Sequence, residues 1–140
     1  MNREDLELAR NELKRRGSAF VIVKDKEILA ESTEKGVAPF FFAVRELHNQ
    51  LKGTSLADKI VGKAVALLSV YSQITSVYTL LASRPAVKVL DHYNTFLEAD
   101  KVVEMILNPA RDDQCPIEKI VLHTDEPEEA FMLLKRRFEG

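Results

Sequence analysis

Residues 18–30 read SAFVIVKDKEILA, and this stretch decides the fold. The run from Ser18 to Val23 is almost continuously apolar, a pattern typical of a strand that is buried on both faces. A polar break, Asp25-Lys26, separates it from a second short run, Glu27–Ala30. The break is not one of the Asn-Gly or Asp-Gly pairs that favour hairpins most strongly. We nevertheless expect the two runs to pair as a hairpin at the beginning of a mixed sheet.

The segments around this hairpin carry the signals of helix ends. Asn2 can cap a first helix, with Asp5 three residues later, and Gly17 stands where a helix C-terminus prefers glycine. Pro39 lies in the first turn of a second helix, which we expect to end at Gly53. Further helices are predicted to begin at Ser55, at Ser83 and at Cys115-Pro116, and to cover Ala99–Leu107 and Pro127–Phe138.

Two more segments favour strands, a buried one over Val77–Ala82 and a short one over Asn94–Leu97. Strands that alternate with helices predict a sheet covered on both faces, which is an α/β fold built as a three-layer α/β/α sandwich. Three or four strands form a small sheet for 140 residues, which leaves room for an edge strand that the pattern does not mark. No linker or repeat divides the chain, so we expect a single domain over residues 1–140.

The composition excludes several classes of protein. Apolar residues make up 46% of the chain and charged residues 30%, which is enough for a proper core and incompatible with disorder. The net charge of −2 gives no broad attraction to nucleic acid or to a membrane surface. No run approaches the roughly 18–20 apolar residues that a transmembrane helix needs. We therefore expect neither nucleic acid nor a membrane as a partner.

The cysteine content bears on the compartment. Cys115 is the only cysteine, so no intrachain disulfide can form, which fits a reducing environment. Residues 1–16 are charged and contain no hydrophobic stretch of the signal-peptide type. We expect a cytoplasmic location.

The helix predicted from Ser55 carries an unusual set of polar residues near its start. Asp58 is a first-turn acid that the helix dipole stabilises, whereas Lys59 and Lys63 share a face where cations are mildly unfavourable. Gly62 inside a helix costs about 1 kcal/mol relative to alanine, which suggests that a backbone or a ligand approaches closely. Tight packing with solvated lysines explains this pattern. An anion or carbonyl site on the helix N-terminus explains it as well.

Two other predicted helix starts offer reactive or ligand-facing groups. Ser83 and Arg84 follow a buried strand directly, and open α/β sheets bind ligands at the carboxyl ends of their strands. Ser83 could equally be only a cap, and no Gly-x-Ser-x-Gly elbow surrounds it. Cys115 would have a lowered pKa at a helix N-terminus, although lone cysteines are commonly buried and inert. Glu118, at the third helical position, could close a cap there.

Metal and nucleotide motifs are absent from the sequence. His48, His92 and His123 are scattered without paired spacing, so they do not predict a metal site. There is no Walker loop and no Gly-x-Gly-x-x-Gly. We expect neither a metal nor a cofactor.

Four short segments in combination resemble a small uncharacterised prokaryotic family of unknown function. They are Asp58-Lys59-x-x-Gly62-Lys63-Ala64, Ala82-Ser83-x-x-Ala86, Asn108, and Cys115-Pro116-x-Glu118. The resemblance covers nearly the whole chain. It implies a cytidine-deaminase-like fold, an α/β/α sandwich around a mixed sheet whose first two strands form a hairpin.

The departure from the deaminase pattern limits the function that this resemblance implies. Zinc deaminases use a His-x-Glu and a Pro-Cys-x-x-Cys to hold and assist the metal. Here the corresponding predicted helix starts carry Asp58-Lys59 and Ser83-Arg84, and Cys115 alone cannot supply two thiolate ligands. We do not expect zinc-dependent base deamination, and the fold alone does not choose another function.

Two hypotheses from different classes remain. The first is binding, or a transformation without a metal, of a small anionic or nucleotide-like ligand at helix N-termini. It assigns catalytic roles to Cys115, Asp58 and Lys59, and ligand binding to Lys63, Gly62, Ser83, Arg84, Asn108 and Glu118.

The alternative hypothesis is a non-catalytic interaction module that forms a homodimer. Its motivation is the run Phe40–Phe42, because three consecutive helical residues point in different directions and cannot all face one core. One of the three rings would then anchor an interface.

Overall fold

The structure, a computed structural model, describes all of residues 1–140. It contains five strands and six α-helices. In chain order they are α1 (Arg3–Arg16), β1 (Phe20–Lys24), β2 (Glu27–Ser32), α2 (Ala38–Leu47), β3 (Ser55–Val61), α3 (Lys63–Tyr71), β4 (Ser76–Ser83), α4 (Arg84–His92), β5 (Phe96–Val103), α5 (Pro116–Ile120) and α6 (Pro127–Glu139).

The five strands form one open mixed sheet in the order β2-β1-β3-β4-β5. β1 is antiparallel to both β2 and β3, whereas β3, β4 and β5 run parallel to one another. The crossovers between the parallel strands are α3 and α4, as parallel pairing requires. The expected α/β sheet that begins with a hairpin is therefore confirmed.

The hairpin turn is supported from outside the hairpin. Asp25 and Lys26 both adopt left-handed φ angles of 50° and 67°, which cost energy for residues other than glycine. The backbone N–H groups of both residues donate to the carboxylate of Asp5, each over 2.9 Å. Asp5 lies in the first turn of α1 and is buried. A helix-start acid thus holds a turn whose own sequence is only moderately suited to it.

The helices lie on both faces of the sheet, which gives three layers. α1 alone covers one face, where Leu6, Ala9 and Leu13 pack against Val21, Val23, Ala57 and Tyr78. The larger core of 21 buried residues lies on the other face, between the sheet and residues of α2, α3, α4 and α6, with the partly buried Ile117 and Ile120 of α5 packed against it. The predicted α/β/α sandwich is confirmed, with unequal layers.

The helix predicted from Ser55 was wrong, because residues 55–61 form β3, the central strand of the sheet. Ser55 and Asp58 mimic a capping box, but β1 and β4 pair with this segment on both sides and bury Leu56 and Ala57. Helical structure starts only at Lys63, with Gly62 as its N-cap. Gly62 is therefore at a helix end, where it carries no helix-interior cost.

The helix predicted over Ala99–Leu107 was also wrong. Residues 96–103 form β5, an edge strand that pairs in parallel with β4. It extends the expected Asn94–Leu97 strand, whereas the strand that the pattern did not mark is β3, which lies at the centre of the sheet and not at its edge. The second helix is shorter than predicted, since α2 ends at Leu47 and a 3₁₀ turn over His48–Leu51 follows.

No helix combines the length and the apolar character that crossing a membrane requires.

Candidate functional site

The N-terminus of α3 is occupied by a carboxylate from another helix. α3 has no side-chain cap of its own. Glu118 of α5 accepts the backbone N–H of Lys63 at Oε1 over 2.6 Å, and that of Ala64 at Oε2 over 2.9 Å. A Cβ atom on Gly62 would overlap this carboxylate. The close approach that the sequence predicted at Gly62 therefore comes from Glu118.

The surroundings of Glu118 oppose and favour its charge at the same time. The residue is only 4% exposed, and burial raises the pKa of its carboxyl above the ordinary value. The N–H groups of Ala64 and Lys63, and the charge of Lys63, act in the opposite direction but do not cancel that effect. The dipole of α3 also favours an anion at this point. The expected anion site on this helix is thus filled by the chain itself.

Lys63 also carries a second carboxylate contact, through its side chain. Its Nζ lies 3.0 Å from Oδ1 of Asp125 and donates to the carbonyl oxygen of Leu122 over 3.1 Å. The Lys63 side chain is 12% exposed, whereas that of Asp125 is 84% exposed. The ammonium group is therefore largely enclosed and the acid that pairs with it is not.

A cavity of about 430 Å³ opens beside this pair. Its α4 wall consists of Pro85, Lys88, Val89 and His92, which follow the spacing of one helix face. Lys63, Asp125 and Tyr93 complete the lining. We call this the basic cavity, since its lining contains two lysines and a histidine against one acid.

The start of α4 orients that wall. Ser83 Oγ accepts the N–H of Ala86 over 3.2 Å, so Ser83 serves as the N-cap. Arg84 is directed to an exposed ion pair with Glu104 at 2.9 Å. Neither Ser83 nor Arg84 lines the basic cavity.

Asp58 and Lys59 are consecutive on β3 and point to opposite faces of the sheet. Lys59 is exposed, and its Nζ donates to the carbonyl oxygen of Gly17, at the end of α1, over 3.3 Å. Asp58 is buried on the other face, where its Oδ1 accepts the N–H of Ile60 over 3.1 Å. It forms no ion pair, and burial raises its pKa to about 8. The two residues do not share a site.

Cys115 and Asn108 belong to the irregular segment between β5 and α5. Cys115 is half-buried and precedes a helix of only five residues, while its backbone N–H donates to Ile106 over 2.8 Å. Asn108 exchanges two hydrogen bonds with Asp112, of 2.9 and 3.2 Å. Neither lines the basic cavity. Nowhere in the chain do three His, Cys, Asp or Glu side chains group so that they could hold a metal ion.

The aromatic run lies inside the fold. Phe40 and Phe41 are fully buried, and Phe42 packs against Phe138 with the Arg45 guanidinium over its ring. The three rings point differently, as predicted, and α6 covers the outer one.

Of the five polar residues that line the basic cavity, the sequence predicted only Lys63 as a ligand-binding residue and missed four: Lys88, His92, Tyr93 and Asp125. The spacing of Lys88 and His92 on one helix face was a usable signal for two of them. Asp125 gave no such signal, because only the folding of the chain brings it to Lys63.

Comparison with known proteins places the chain in a family. The fold is similar to that of a solved structure, the DUF1893 family protein TM1506 from Thermotoga maritima, with a TM-score of 0.89. The match covers 99% of this chain and 92% of that chain at 24% identity, which supports the fold alone. No curated protein matches the sequence. The family model for DUF1893, described as a domain of unknown function, matches residues 8–138. The predicted membership in a family of unknown function is confirmed: the chain belongs to the DUF1893 family.

Proposed function

We propose that this protein binds a small anionic ligand in the basic cavity. The observation that carries the proposal is the convergence of Lys63, Lys88 and His92 on one cavity with a single acid, Asp125. The volume of about 430 Å³ lies within the range of roughly 300–1,000 Å³ that ligand pockets occupy. A nucleotide-like ligand falls within the same proposal.

The position of the cavity supports this function. Lys63 and Pro85 each lie two residues beyond the carboxyl end of a strand, β3 and β4 respectively, at the edge where open α/β sheets bind ligands. Val89 and Tyr93 add apolar and aromatic surface to the lining. Such a mixture of apolar walls and a few placed polar groups is typical of small-molecule sites.

The proposal is limited to binding. A transformation carried by Cys115, Asp58 and Lys59 would need these groups within reach of one another and of the ligand. Lys59 and Asp58 lie on opposite faces of β3, and none of the three lines the cavity. Of the residues that the sequence predicted for the site, only Lys63 lines the cavity, and the proposed ligand contacts are those of Lys63, Lys88 and His92.

Thermal unfolding in the presence of anions tests the proposal. Inorganic phosphate, pyrophosphate and AMP are compared, because a ligand that binds only the folded state raises the unfolding temperature by mass action. The variant is Lys88→Ala, and its matched control is Lys101→Ala, an exposed lysine of β5 outside the cavity. We expect at least one anion to stabilise the native protein and the control, with affinity about tenfold weaker in Lys88→Ala. Equal loss in both variants, or no stabilisation by any anion, contradicts the proposal.

A second candidate function is that of an interaction module, including a homodimer. It is favoured by exposed apolar side chains on three neighbouring strands: Ile60, Leu80 and Val102 are 47%, 36% and 44% exposed. Light scattering over a range of protein concentrations tests it, with Val102→Lys as the variant. A native protein that stays monomeric at every concentration removes the homodimer.

The cytidine-deaminase-like assignment of the fold is part of the proposal as well. It is supported by the mixed sheet that begins with an antiparallel hairpin and continues in parallel strands joined by helices.

A further inference from the structure

We propose that the ligand of the basic cavity is a small phosphate monoester, and that Asp125 is an intramolecular competitor which the phosphate displaces from Lys63. This inference rests on the proposed function, since it concerns the same cavity. Its starting point is the asymmetry of the Lys63–Asp125 ion pair.

The two partners of this ion pair differ sharply in their exposure to solvent. The Lys63 side chain is 12% exposed and its ammonium lies between the Leu122 carbonyl oxygen and Asp125. An ammonium group has three N–H donors, so at least one has no acceptor in the protein. Asp125 is 84% exposed, and an acid so well hydrated gains little from its pairing. An anion that enters the cavity therefore meets an enclosed cation with a weakly held partner.

Displacement of the carboxylate needs no opening of the backbone. The Tyr93 hydroxyl donates to the carbonyl oxygen of Asp125 over 2.9 Å. The neighbouring Thr124 is buried, and its Oγ1 accepts the N–H of Glu126 over 3.1 Å. The main chain on both sides of the Asp125 side chain is thus anchored. A rotation of that exposed side chain is enough to free the ammonium of Lys63.

The charge and the number of acceptor oxygens favour a phosphate over a carboxylate as the ligand. A carboxylate ligand would replace one carboxylate on Lys63 by another and would gain little. A phosphate monoester carries a charge of about −1.5 to −2 at neutral pH and three acceptor oxygens. Lys88 and His92 stand one helical turn apart on the same wall, so further donors face the same space. One phosphate can therefore engage more than one of these basic groups at once.

The size of the cavity and the apolar part of its lining favour a phosphate ester over free phosphate. A volume of about 430 Å³ exceeds that of one phosphate group several-fold. Pro85, Val89 and the Tyr93 ring offer surface for an organic part. A sugar phosphate or a nucleoside monophosphate has the matching combination of a dianionic end and a partly apolar body.

Isothermal titration with ribose 5-phosphate, inorganic phosphate and acetate tests the inference. The variants are Asp125→Asn and Lys88→Ala, with Asp91→Asn, an exposed acid of α4 outside the cavity lining, as control. We expect Asp125→Asn to bind ribose 5-phosphate about two- to threefold more tightly than the native protein, since the weakly held competitor is removed. The control should leave affinity unchanged, and Lys88→Ala should lower it.

The outcomes separate this inference from the proposed function. If no probe binds, or if Lys88→Ala binds as tightly as the native protein, the proposed function fails and this inference fails with it. If the native protein binds and Lys88→Ala weakens binding, but Asp125→Asn binds equally or less tightly, only the displacement is overturned. Acetate or inorganic phosphate binding as tightly as ribose 5-phosphate overturns the assignment to a phosphate monoester. Because Asp125 is largely exposed, its substitution is not expected to unfold the protein.

Discussion

Two acids contact the same residue, Lys63, one at its backbone N–H and the other at its side-chain ammonium. Glu118 is 4% exposed and binds the backbone N–H groups at the start of α3. Asp125 is 84% exposed and binds the side-chain ammonium. The first contact satisfies the N–H groups at the start of α3, whereas the second leaves the Lys63 ammonium able to pair with another anion. A buried carboxylate on backbone N–H groups is therefore structural, whereas an exposed carboxylate on an ammonium group is replaceable.

A third acid, Asp58, extends this comparison. Asp58 is buried like Glu118, but it has neither a helix N-terminus nor a cation as a partner, and it accepts hydrogen bonds from the backbone N–H groups of Ile60 and Lys59. Its pKa is raised to about 8 by burial. A carboxylate can thus be buried on a helix N-terminus, buried without one, or exposed, all within one small domain.

Removing Glu118 is expected to have the largest effect on stability. Glu118→Ala leaves the N–H groups of Lys63 and Ala64 without their acceptor, at a cost of about 3 kcal/mol in the free energy of unfolding. Urea denaturation measures this change, with Glu128→Ala, an exposed acid in the first turn of α6, as the control. A decrease in the free energy of unfolding no greater than that of the control would show that the Glu118 contact does not stabilise the fold.

A second substitution at the same contact sharpens this prediction. Gly62→Ala places a Cβ where the Glu118 carboxylate lies, so the carboxylate must move away. The double variant Gly62→Ala/Glu118→Ala should be clearly less destabilised than the sum of the two single variants, because both remove one interaction. Additive losses in a double-mutant cycle would mean that Gly62 is required for another reason.

Replacing Asp58 is expected to stabilise the protein at neutral pH. Asp58→Asn keeps an acceptor for the Ile60 N–H and removes a carboxyl that resists ionisation. Because the folded pKa of about 8 exceeds the ordinary 3.8, the folded state holds a proton that the unfolded state has lost between those values. The contribution of this group to stability is therefore complete below about pH 4 and declines as the pH rises toward 8.

The measurement for Asp58 is unfolding free energy as a function of pH. Asp58→Asn should exceed the native protein by a margin that grows from about pH 4 to 8 and reaches on the order of a few kcal/mol. Asp91→Asn should run parallel to the native protein. A constant difference across this range would show that Asp58 ionises freely in the folded state.

Replacing Asp125 is expected to have the smallest effect on stability. Asp125→Asn breaks an ion pair whose acid is almost fully exposed, so the free energy of unfolding should change by less than about 0.5 kcal/mol. Its effect belongs to ligand affinity instead. Thermal unfolding without ligand measures it, and a loss similar to that of Glu118→Ala would remove the distinction between the two acids.

Prediction from the sequence succeeded for elements whose ends are set by their own residues. Asn2 and Gly17 bound α1, and Ser83 caps α4, because capping is a contact between near neighbours in the chain. It failed for β3 and β5, where short apolar stretches suit a helix as well as a strand. Pairing with neighbouring strands decided those segments.

For the candidate site, the sequence marked Gly62 and Lys63 as unusual and suggested a close approach at Gly62, although Gly62 proved to be a helix N-cap and not a helix-interior residue. It also determined the N-cap of α4, and with it one end of the cavity wall. The tertiary structure decided what approaches, because Glu118 stands 55 residues further along the chain than Lys63. It also decided that Lys59 and Asp58 separate, since strand residues alternate between faces. Local rules reach only a few residues along the chain, whereas charge, burial and enclosure at this site arise from segments that meet only in the folded protein.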